Sequence, residues 1–408
     1  MICRSCKSKK IHIIVDLGHT PPSNAFLNKR DLRNNEIFYP LKIFVCSNCW
    51  LVQTLDVLDN KSLFNNNYPY LSSYSDTLLS HVQDYTNKII KRFKFNNSNS
   101  FLEIASNDGY LQDRFAASGL ELLGIEPTSL AANVAKSKGH KVIKKFFGLE
   151  FSKDLVKKKG KFDLIIANNV FAHVPDINDF MLGIKVCLSK NGVVTIENPS
   201  VINLVEKNQF DTIYHEHFSY LSLTSVEFIA KNNMLDVFDV EESFIHGGSI
   251  RYYLQHKNTQ WYKKSERVKK LREFEFSKGS KDIKTYAGFR ENCKKIKVDF
   301  LKFLYLKISK GKKFAAYGAA AKGNTFLNYC GLKKDIIQFI VDRNPKKIGL
   351  YTPGSHIPIV DEDYLIKMKP DYVIILPWNL KSEIKDQLKY VRNWKAKFIC
   401  AIPRLEIF

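Results

Sequence analysis

Residues 214–220 bring several proton-active side chains close together in the chain: Tyr214, His215, Glu216, His217 and Tyr220. Imidazoles, carboxylates and phenols can all move protons or stabilise developing charge. A regular strand would turn Tyr214 and Glu216 to one face and His217 to the other, so joint action of these groups requires a loop. The H-E-H order also lacks the helical i, i+4 spacing of zinc hydrolases. The segment therefore indicates acid–base catalysis from a loop.

Two C-x2-C pairs, Cys3 with Cys6 and Cys46 with Cys49, indicate a metal site. Each pair can present two thiolates from one tight turn, and two such turns complete a closed tetrahedral site that suits zinc. Neither pair stands in the strand–helix context of a thioredoxin-like redox site. We expect a structural zinc that stabilises the fold and performs no chemistry.

The elements that must position these groups begin near residue 95, where strand and helix patterns alternate as in a parallel sheet covered by helices. The predicted strands cover 101–105, 122–127, 162–167 and 193–197, with a turn at 190–192 before the last of them. The turn at 106–109 leads into a helix that opens at Tyr110. This arrangement predicts an α/β, Rossmann-like domain.

The turn after the first strand indicates a nucleoside-binding site. Small residues there let a ligand approach the backbone, and Glu126, at the end of the next strand, can accept hydrogen bonds from ribose hydroxyls. The turn lacks the full G-x-G-x-x-G pattern, so it serves a pyrophosphate poorly. Glu103 leads into it, and Asp108 would favour a sulfonium or amino charge. The residues suit S-adenosylmethionine; the alternative is a doubly wound domain without a nucleoside.

The last part of the chain predicts a second Rossmann-like domain. After a Lys- and Glu-rich helical stretch, strands are predicted at 313–317, 336–341 and 372–376, with a small-residue turn at 318–325. This turn either binds a phosphate or serves close packing, and Asp342 stands where a ribose-binding carboxylate is expected. The predicted domains are a zinc-binding module at 1–65, a methyltransferase domain at 66–254, a helical connection at 255–310 and a Rossmann-like domain at 311–408.

The net charge of +22 comes from Lys and Arg residues scattered along the chain. It indicates either a solvated lysine surface or a field that attracts phosphate-bearing partners. No compact basic patch is interleaved with aromatics, so we expect no nucleic acid partner. No apolar run approaches the roughly 20 residues of a membrane span, and the chain begins with a cysteine pair rather than a signal sequence. We expect a cytoplasmic monomer that does not enter a membrane.

With these motifs together, the chain resembles the three-domain sugar C-methyltransferases that contain zinc and use S-adenosylmethionine. The resemblance covers essentially the whole length and rests on the paired C-x2-C motifs and on segments 68–73, 103–109, 214–217, 246–251, 317–322 and 353–358. It implies methylation of carbon on a keto-deoxysugar attached to a nucleoside diphosphate. Ala105 departs from the glycine usual in the family. The expected cofactor-binding residues are Glu103, Ala105, Asn107, Asp108, Gly109, Glu126 and Asn168.

That chemistry explains why proton-active groups are needed. A ketone beside the methylated carbon must lose an α-proton to give an enolate, which then attacks the methyl group of the sulfonium. His217 is the preferred base, Glu216 orients it or a neighbouring sugar hydroxyl, and Tyr214 transfers a proton or stabilises the enolate oxygen. The resemblance also implies that Tyr70 and His173 line the pocket, although Tyr70 alone suits a structural role and His173 alone a helix cap.

Two other classes of function compete with this interpretation. A zinc-ribbon RNA methyltransferase would account for the charge and the cysteines, but it leaves the second Rossmann-like domain unexplained. A non-catalytic sugar-nucleotide-binding protein would not need the proton-active segment.

Overall fold

The computed structural model describes residues 1–64, 68, 70–259 and 261–408. Pro69, the predicted domain boundary at 65/66 and the side chain of His246 lie outside the described residues. The chain divides into two compact units. The first comprises Met1–His12, Val45–Ile202 and His217–Asp282, and the second comprises Ile13–Phe44, Asn203–Glu216 and Ile283–Phe408. One division falls between Glu216 and His217.

The strands of the described chain are β1 Ile11–Thr20, β2 Tyr39–Cys46, β3 Val52–Thr54, β4 Phe101–Ile104, β5 Leu122–Ile125, β6 Val142–Ile143, β7 Phe162–Asn168, β8 Leu188–Pro199, β9 Ser219–Tyr220, β10 Leu235–Ser243, β11 Ser249–His256, β12 Phe314–Tyr317, β13 Ile340–Val341, β14 Ile359–Val360, β15 Tyr372–Ile375, β16 Lys397–Cys400 and β17 Glu406–Ile407. The α-helices are α1 Asn60–Leu63, α2 Asp76–Phe93, α3 Tyr110–Ala117, α4 Ser129–Ser137, α5 Leu149–Lys159, α6 Ile177–Cys187, α7 Val201–Glu206, α8 Leu223–Asn232, α9 Glu266–Ser277, α10 Ile283–Ile308, α11 Ala321–Cys330, α12 Glu362–Met368 and α13 Lys381–Gln387.

The first unit is built on a seven-stranded sheet with the order β10-β11-β8-β7-β4-β5-β6. Strands β4 to β8 are parallel, and β10 and β11 form an antiparallel edge. Along β7, Leu164 and Ile166 pack into one apolar core while Ile165 and Ala167 pack into another, as in a sheet covered on both faces. The carboxyl ends of β4, β5, β7 and β8 therefore share one edge, where such folds bind ligands.

The second unit contains a six-stranded sheet with the order β14-β13-β12-β15-β16-β17. All neighbouring strands are parallel except the last pair, β16 and β17. The turn that follows β12, Asp342 after β13 and Pro377 after β15 all lie at the carboxyl edge of this sheet. The predicted α/β class with two Rossmann-like sheets is thus confirmed.

Two predicted elements differ from the structure. The expected turn at 190–192 is wrong, because β8 begins at Leu188 and its pairing with β7 jumps from Leu188 to Val193 around a bulge. The strand expected at 336–341 is reduced to Ile340–Val341. The amides of Ile336 and Ile337 instead donate to the carbonyl of Lys333 at 3.1 and 3.0 Å and close a turn. The apolar residues Ile337 and Phe339 are buried without belonging to a strand, which explains why the sequence predicted a longer strand.

The helical stretch predicted at 255–310 contains α9, which lies in the first unit, and the whole of α10, which begins after the division at Asp282 and lies in the second. Within the described ranges, none of the helices combines the length and the apolar character needed to cross a membrane.

Candidate active site

The metal centre is formed by the four predicted cysteines, whose sulfur atoms all lie within 4.8 Å of one another. Each pair sits in the same kind of tight turn: Lys7 N–H donates to Cys3 O at 3.0 Å, and Trp50 N–H donates to Cys46 O at 2.8 Å. Lys7 and Trp50 both adopt a positive φ, 58° and 60°. Four converging sulfur atoms, the number that a closed tetrahedral site requires, fit a structural zinc.

The turn after β4 has an unusual backbone. Ala105, Asn107 and Gly109 have φ angles of 59°, 49° and 80°, so three of five successive residues are left-handed. A Cβ atom at position 109 would lie 2.7 Å from Cδ2 of His140, which explains the glycine there. Ala105 bears the steric cost of a left-handed residue that has a side chain.

Three carboxyl groups gather around this turn: Glu103 on β4, Asp108 in the turn and Glu126 after β5. The residues are 1%, 0% and 3% exposed. Burial, followed by the charges of Glu126 and Asp108, raises the pKa of Glu103 well above its usual range. Burial also raises the pKa of Glu126, although hydrogen bonds from Thr128 and Asn107 oppose the shift.

Glu126 is oriented by the loop around it. It accepts hydrogen bonds from the backbone N–H of Asn107 at 3.0 Å and of Thr128 at 2.8 Å, and from the Thr128 hydroxyl at 2.6 Å. These bonds hold the carboxylate at the end of β5, the position that ribose-binding acids occupy in doubly wound folds.

The segment after Pro69 lies against the turn. Ser72 N–H donates to Oδ1 of Asn107 at 2.8 Å, and Ser73 N–H donates to Oδ2 of Asp108 at 3.1 Å. The Asn107 amide in turn donates to Tyr70 O at 3.3 Å. The Asn107 side chain therefore fixes this covering segment, and Tyr70 itself remains 44% exposed.

The polar atoms that are buried without a hydrogen-bond partner near this turn are of a kind that fits S-adenosylmethionine. Among the described residues, Oε2 of Glu103, Oδ1 of Asp108 and Oδ1 of Asn168 are buried and have no hydrogen-bond partner. All three are acceptors. Buried acceptors require donors, and the cofactor offers an ammonium group, ribose hydroxyls and a sulfonium charge. The residues thus suit a cationic nucleoside better than a phosphate.

Two histidines come together in the same unit. The ring centroids of His173 and His217 are 4.7 Å apart, and the ring of Tyr220 lies 5.9 Å from that of His217. His173 ends a short 3-10 turn after β7, and His217 lies in the loop before β9. The predicted loop conformation of residues 214–217 is confirmed. The hydroxyl of Thr54 donates to the His217 carbonyl at 3.0 Å.

The second unit contains the other part of the histidine-rich segment. Glu216 is 1% exposed and accepts a hydrogen bond from Nδ2 of Asn24 at 3.3 Å. Burial raises its pKa to about 7, whereas burial lowers the pKa of His215 to about 4. The His215 ring meets Tyr39 edge to face at 6.0 Å. Tyr214 is half-buried. Tyr214, His215 and Glu216 belong to the second unit, whereas His217 belongs to the first.

The small-residue turn of the second unit serves close packing. Gly318 has a φ of 87°, and a Cβ atom there would lie 2.4 Å from Cγ of Pro377. A Cβ atom on Gly323 would lie 2.8 Å from Leu376. Asp342 accepts the N–H groups of Ala319 and Asn344, both at 2.8 Å, and so supports the turn.

Beside this turn, the unit has a polar cluster that the sequence did not single out. Nε1 of Trp378 donates to Oδ2 of the buried Asp211 at 2.7 Å, and Nζ of Lys322 lies 5.0 Å above the Trp378 ring. Burial raises the pKa of Asp211 to about 6 and lowers that of Lys322.

Three family models match the chain: "Putative zinc binding domain" at residues 3–64, "Methyltransferase domain" at 78–238 and "C-methyltransferase C-terminal domain" at 244–403. The C-methyltransferase NovU of Streptomyces niveus is 31% identical over 401 residues, covering 98% of this chain and 95% of that protein. The chain belongs to the zinc-binding, S-adenosylmethionine-dependent C-methyltransferases.

Two other similar proteins match a smaller part of this C-methyltransferase, and at lower sequence identity. The ubiquinone biosynthesis O-methyltransferase of Pelagibacter ubique (strain HTCC1062) is 27% identical over 138 residues, which cover 32% of this chain and 56% of that protein. The magnesium protoporphyrin IX methyltransferase of Synechocystis PCC 6803 with bound SAM is 11% identical. It covers 49% of this chain and 99% of that structure at a TM-score of 0.38, a value too low to support an inference.

The C-methyltransferase also contains an ion cluster that sequence reasoning missed. Glu197, near the end of β8, lies 2.8 Å from Nε2 of His81 and forms a buried ion pair with Arg251. The Arg251 guanidinium stacks 4.1 Å above the Tyr85 ring. The signals available were a carboxylate near a strand end and an arginine in segment 246–251. The cluster ties α2 to β8 and β11, and α2 directly follows the segment that covers the turn after β4.

Proposed function

We propose that this C-methyltransferase methylates a carbon atom of a nucleotide-linked keto-deoxysugar through an enolate. The observation that supports it most directly is the close His173–His217 pair in the unit that contains the buried carboxyl groups. Methyl transfer to oxygen or nitrogen acts on an atom with a lone pair. Transfer to carbon beside a ketone requires an additional proton abstraction, which imidazoles perform near neutral pH.

The cofactor-binding residues proposed are those that the sequence predicts. Asp108 and Glu103 would accept hydrogen bonds from the amino group of the cofactor and balance its positive charge. Glu126 would accept hydrogen bonds from the ribose hydroxyls. Asn168 would add a neutral acceptor from the end of β7. S-adenosylmethionine supplies an electrophilic methyl carbon when it is bound. The segment that starts at Tyr70 would help exclude water from the reacting atoms.

His217 is the proposed base. Its ring nitrogen takes the proton from the carbon next to the ketone, and the C–H electron pair becomes the enolate. That carbon then forms a bond to the transferred methyl group as the bond from methyl carbon to sulfur breaks. His173, whose ring adjoins that of His217, would line the substrate pocket.

Tyr214 and Glu216 have the other proposed roles. The Tyr214 phenol would either donate a hydrogen bond to the enolate oxygen or transfer a proton. Glu216 would orient the base or a sugar hydroxyl. Its pKa, raised to about 7 by burial, leaves both its protonated and its ionised form populated at neutral pH, which suits either role.

The positive field of the chain supports a phosphate-bearing substrate. The net charge is +22, and the second unit adds a half-buried lysine, Lys322, beside an indole, Trp378. An ammonium group with an aromatic face is a chemical match for a charged nucleotide.

The proposal is tested by incubating the protein with S-adenosylmethionine and a panel of nucleotide-linked ketosugars. Product mass should rise by one CH2 unit with at least one ketosugar, because a methyl group replaces the α-hydrogen. The α-proton of that sugar should also exchange with deuterated solvent. The matching sugars with the ketone reduced to an alcohol are the control, because they cannot form an enolate. Methylation of a ketosugar and of its reduced counterpart alike would refute the proposal. So would the absence of methylation of every ketosugar in the panel.

A further inference from the structure

We infer that Arg4, which lies inside the first cysteine pair, is a positioning residue for the two active-site histidines. The inference rests on the proposed function, because His173 and His217 are taken as the groups that act on the substrate. It gives the zinc-binding module a role in the geometry of catalysis besides stabilising the fold.

The first step is the placement of Arg4. Its neighbours Cys3 and Cys6 belong to the cluster of four cysteines, so a bound zinc fixes the backbone on both sides of it. The Arg4 side chain is only 5% exposed. A buried guanidinium requires hydrogen-bond partners. Nη1 and Nη2 of Arg4 have them, whereas Nε is buried with no partner among the described residues.

The second step is the set of groups that Arg4 contacts. Nη1 donates to the Pro175 carbonyl at 2.9 Å. Nη2 donates to the Thr54 carbonyl at 3.0 Å and to Oδ1 of Asp56 at 2.7 Å. The guanidinium carbon lies 5.3 Å from the centre of the Phe218 ring.

Three of these four groups adjoin the histidines. Pro175 stands two residues after His173, and Phe218 directly follows His217. Thr54 not only accepts from Arg4 through its carbonyl but also donates from its hydroxyl to the His217 carbonyl at 3.0 Å. A single side chain therefore contacts both histidine-bearing segments and the strand that supports one of them.

The two segments also bind each other. Phe218 N–H donates to the Ala172 carbonyl at 2.8 Å, and Thr54 N–H donates to the Phe218 carbonyl at 3.1 Å. A shift of either segment would change the 4.7 Å separation of the imidazole rings. Arg4, in the first cysteine turn, contacts both of these segments and the Thr54 carbonyl.

The cysteine turn is itself held against the same region. Arg4 N–H donates to Oε1 of Gln53 at 3.0 Å, and Nδ2 of Asn178 donates to the Ser5 carbonyl at 2.9 Å. Asn178 lies three residues after Pro175, in the first turn of α6. The backbone of the turn and the arginine side chain thus fix both ends of the Pro175–Asn178 segment, which begins two residues after His173.

The test compares Arg4→Met with Arg290→Met. Arg290 makes the same type of contact elsewhere, with Nε and Nη2 donating to the carbonyls of Ile14 and Ile13 at 3.1 and 3.2 Å within the second unit. Arg4→Met should lower kcat for methyl transfer roughly 10- to 100-fold, the loss expected from a small misplacement of reacting groups. Its zinc content and its Kd for S-adenosylmethionine should stay within about 2-fold of the parent. Arg290→Met should leave all four quantities, including KM for the ketosugar, unchanged.

A second measurement does not depend on activity. In histidine-labelled protein, the ring resonances of His173 and His217 are assigned from their Asn variants among the ten histidines. Arg4→Met should shift these two resonances by more than any shift caused by Arg290→Met. Unmoved resonances in Arg4→Met would overturn the inference, and so would a loss of zinc or of cofactor affinity as large as the loss of kcat.

If Arg4→Met does not fold, Arg4→Lys replaces it with the same readouts, because lysine keeps the buried charge but lacks the guanidinium fork that contacts the Pro175 and Thr54 carbonyls together. The two proposals fail in different ways. A parent protein that methylates no ketosugar refutes the proposed function. The histidine resonances still decide whether Arg4 positions the pair.

Discussion

The imidazole rings of His173 and His217 lie with their centroids 4.7 Å apart, although one follows β7 and the other precedes β9. The Phe218 N–H, which donates to Ala172 O at 2.8 Å, joins the two segments that carry them. Both rings lie in the unit whose parallel strands end in buried carboxyl groups. The proposed function assigns proton transfer to the two rings and binding of the cationic cofactor to the carboxyl groups, the two components that methyl transfer to carbon requires.

Replacement of the base should separate catalysis from binding. His217→Asn should lower methyl transfer roughly 100-fold or more, because a general base contributes about that much. It should also abolish exchange of the substrate α-proton with deuterated solvent, while calorimetry shows an unchanged Kd for the cofactor. His256→Asn is the matched control, because His256 ends β11 at the opposite edge of the sheet.

Tyr214→Phe decides between the two candidate bases. It should impair methyl transfer as well, since the phenol either moves the proton or stabilises the enolate oxygen. If His217→Asn exchanges the substrate α-proton with solvent at the parental rate and Tyr214→Phe does not, the base is Tyr214 instead.

Glu126 should contribute directly to cofactor affinity. Glu126→Ala removes the acceptor that the Asn107 and Thr128 amides orient, so binding of S-adenosylmethionine should weaken roughly 10-fold or more. Calorimetry measures the change. Glu121→Ala, on the exposed surface beside Lys141, is the control and should bind normally. Equal affinities of the two variants would move the ribose site elsewhere.

Glu103 should make the stability of the cofactor-free protein depend on pH. Its pKa is higher in the folded protein than its ordinary value of 4.5, so the folded state binds more protons than the unfolded chain. The stabilisation is complete below that value and declines as pH rises toward the folded-state pKa. Glu103→Gln should therefore flatten the fall of the unfolding midpoint as pH rises above the ordinary pKa of 4.5.

The same variant should bind S-adenosylmethionine more weakly, because an amide carries no negative charge. Glu121→Gln is the control for the pH series. A Glu103→Gln profile that keeps the parental slope would assign the titration to another buried acid, such as Asp211, whose pKa is also raised.

The sequence predicted the parts of the site that depend on local patterns. The C-x2-C pairs identified the metal cluster because thiolate spacing within a turn is itself a local property. The strand–turn–helix unit at 101–110 was found because apolar runs and small residues alternate there. The same reasoning placed residues 214–217 in a loop, since a regular strand would separate their side chains.

Contacts between distant segments were not predictable in the same way. Nothing local shows that Arg4 meets Pro175, or that Glu197 pairs with Arg251, because these partners come together only through the sheet order. The turn at 190–192 was predicted wrongly for a related reason. Lys, Asn and Gly favour a turn, but the pairing of β8 with β7 absorbs them in a bulge.

The metal centre should contain one zinc per chain in protein purified without added zinc, as measured by elemental analysis. Cys6→Ser should lower zinc content and the unfolding midpoint, because it removes one of the four converging ligands. Cys187→Ala is the control. Cys187 is buried in the core of the first unit and is not one of the four converging cysteines, so its loss should cost stability but leave zinc content unchanged. Far less than one zinc per parental chain would contradict the assignment.

Ala105 offers a test of the strained cofactor turn. Its φ of 59° is costly for a residue with a Cβ atom, by about 1–2 kcal/mol, whereas glycine adopts it freely. Glycine gives back about 0.5–1 kcal/mol through the greater freedom of the unfolded chain. Ala105→Gly should therefore stabilise the protein by up to about 1 kcal/mol in denaturant unfolding. Ala116→Gly, the same change on the exposed face of α3, should destabilise it by a similar amount. Destabilisation by both substitutions would show that the turn does not impose a left-handed conformation at residue 105.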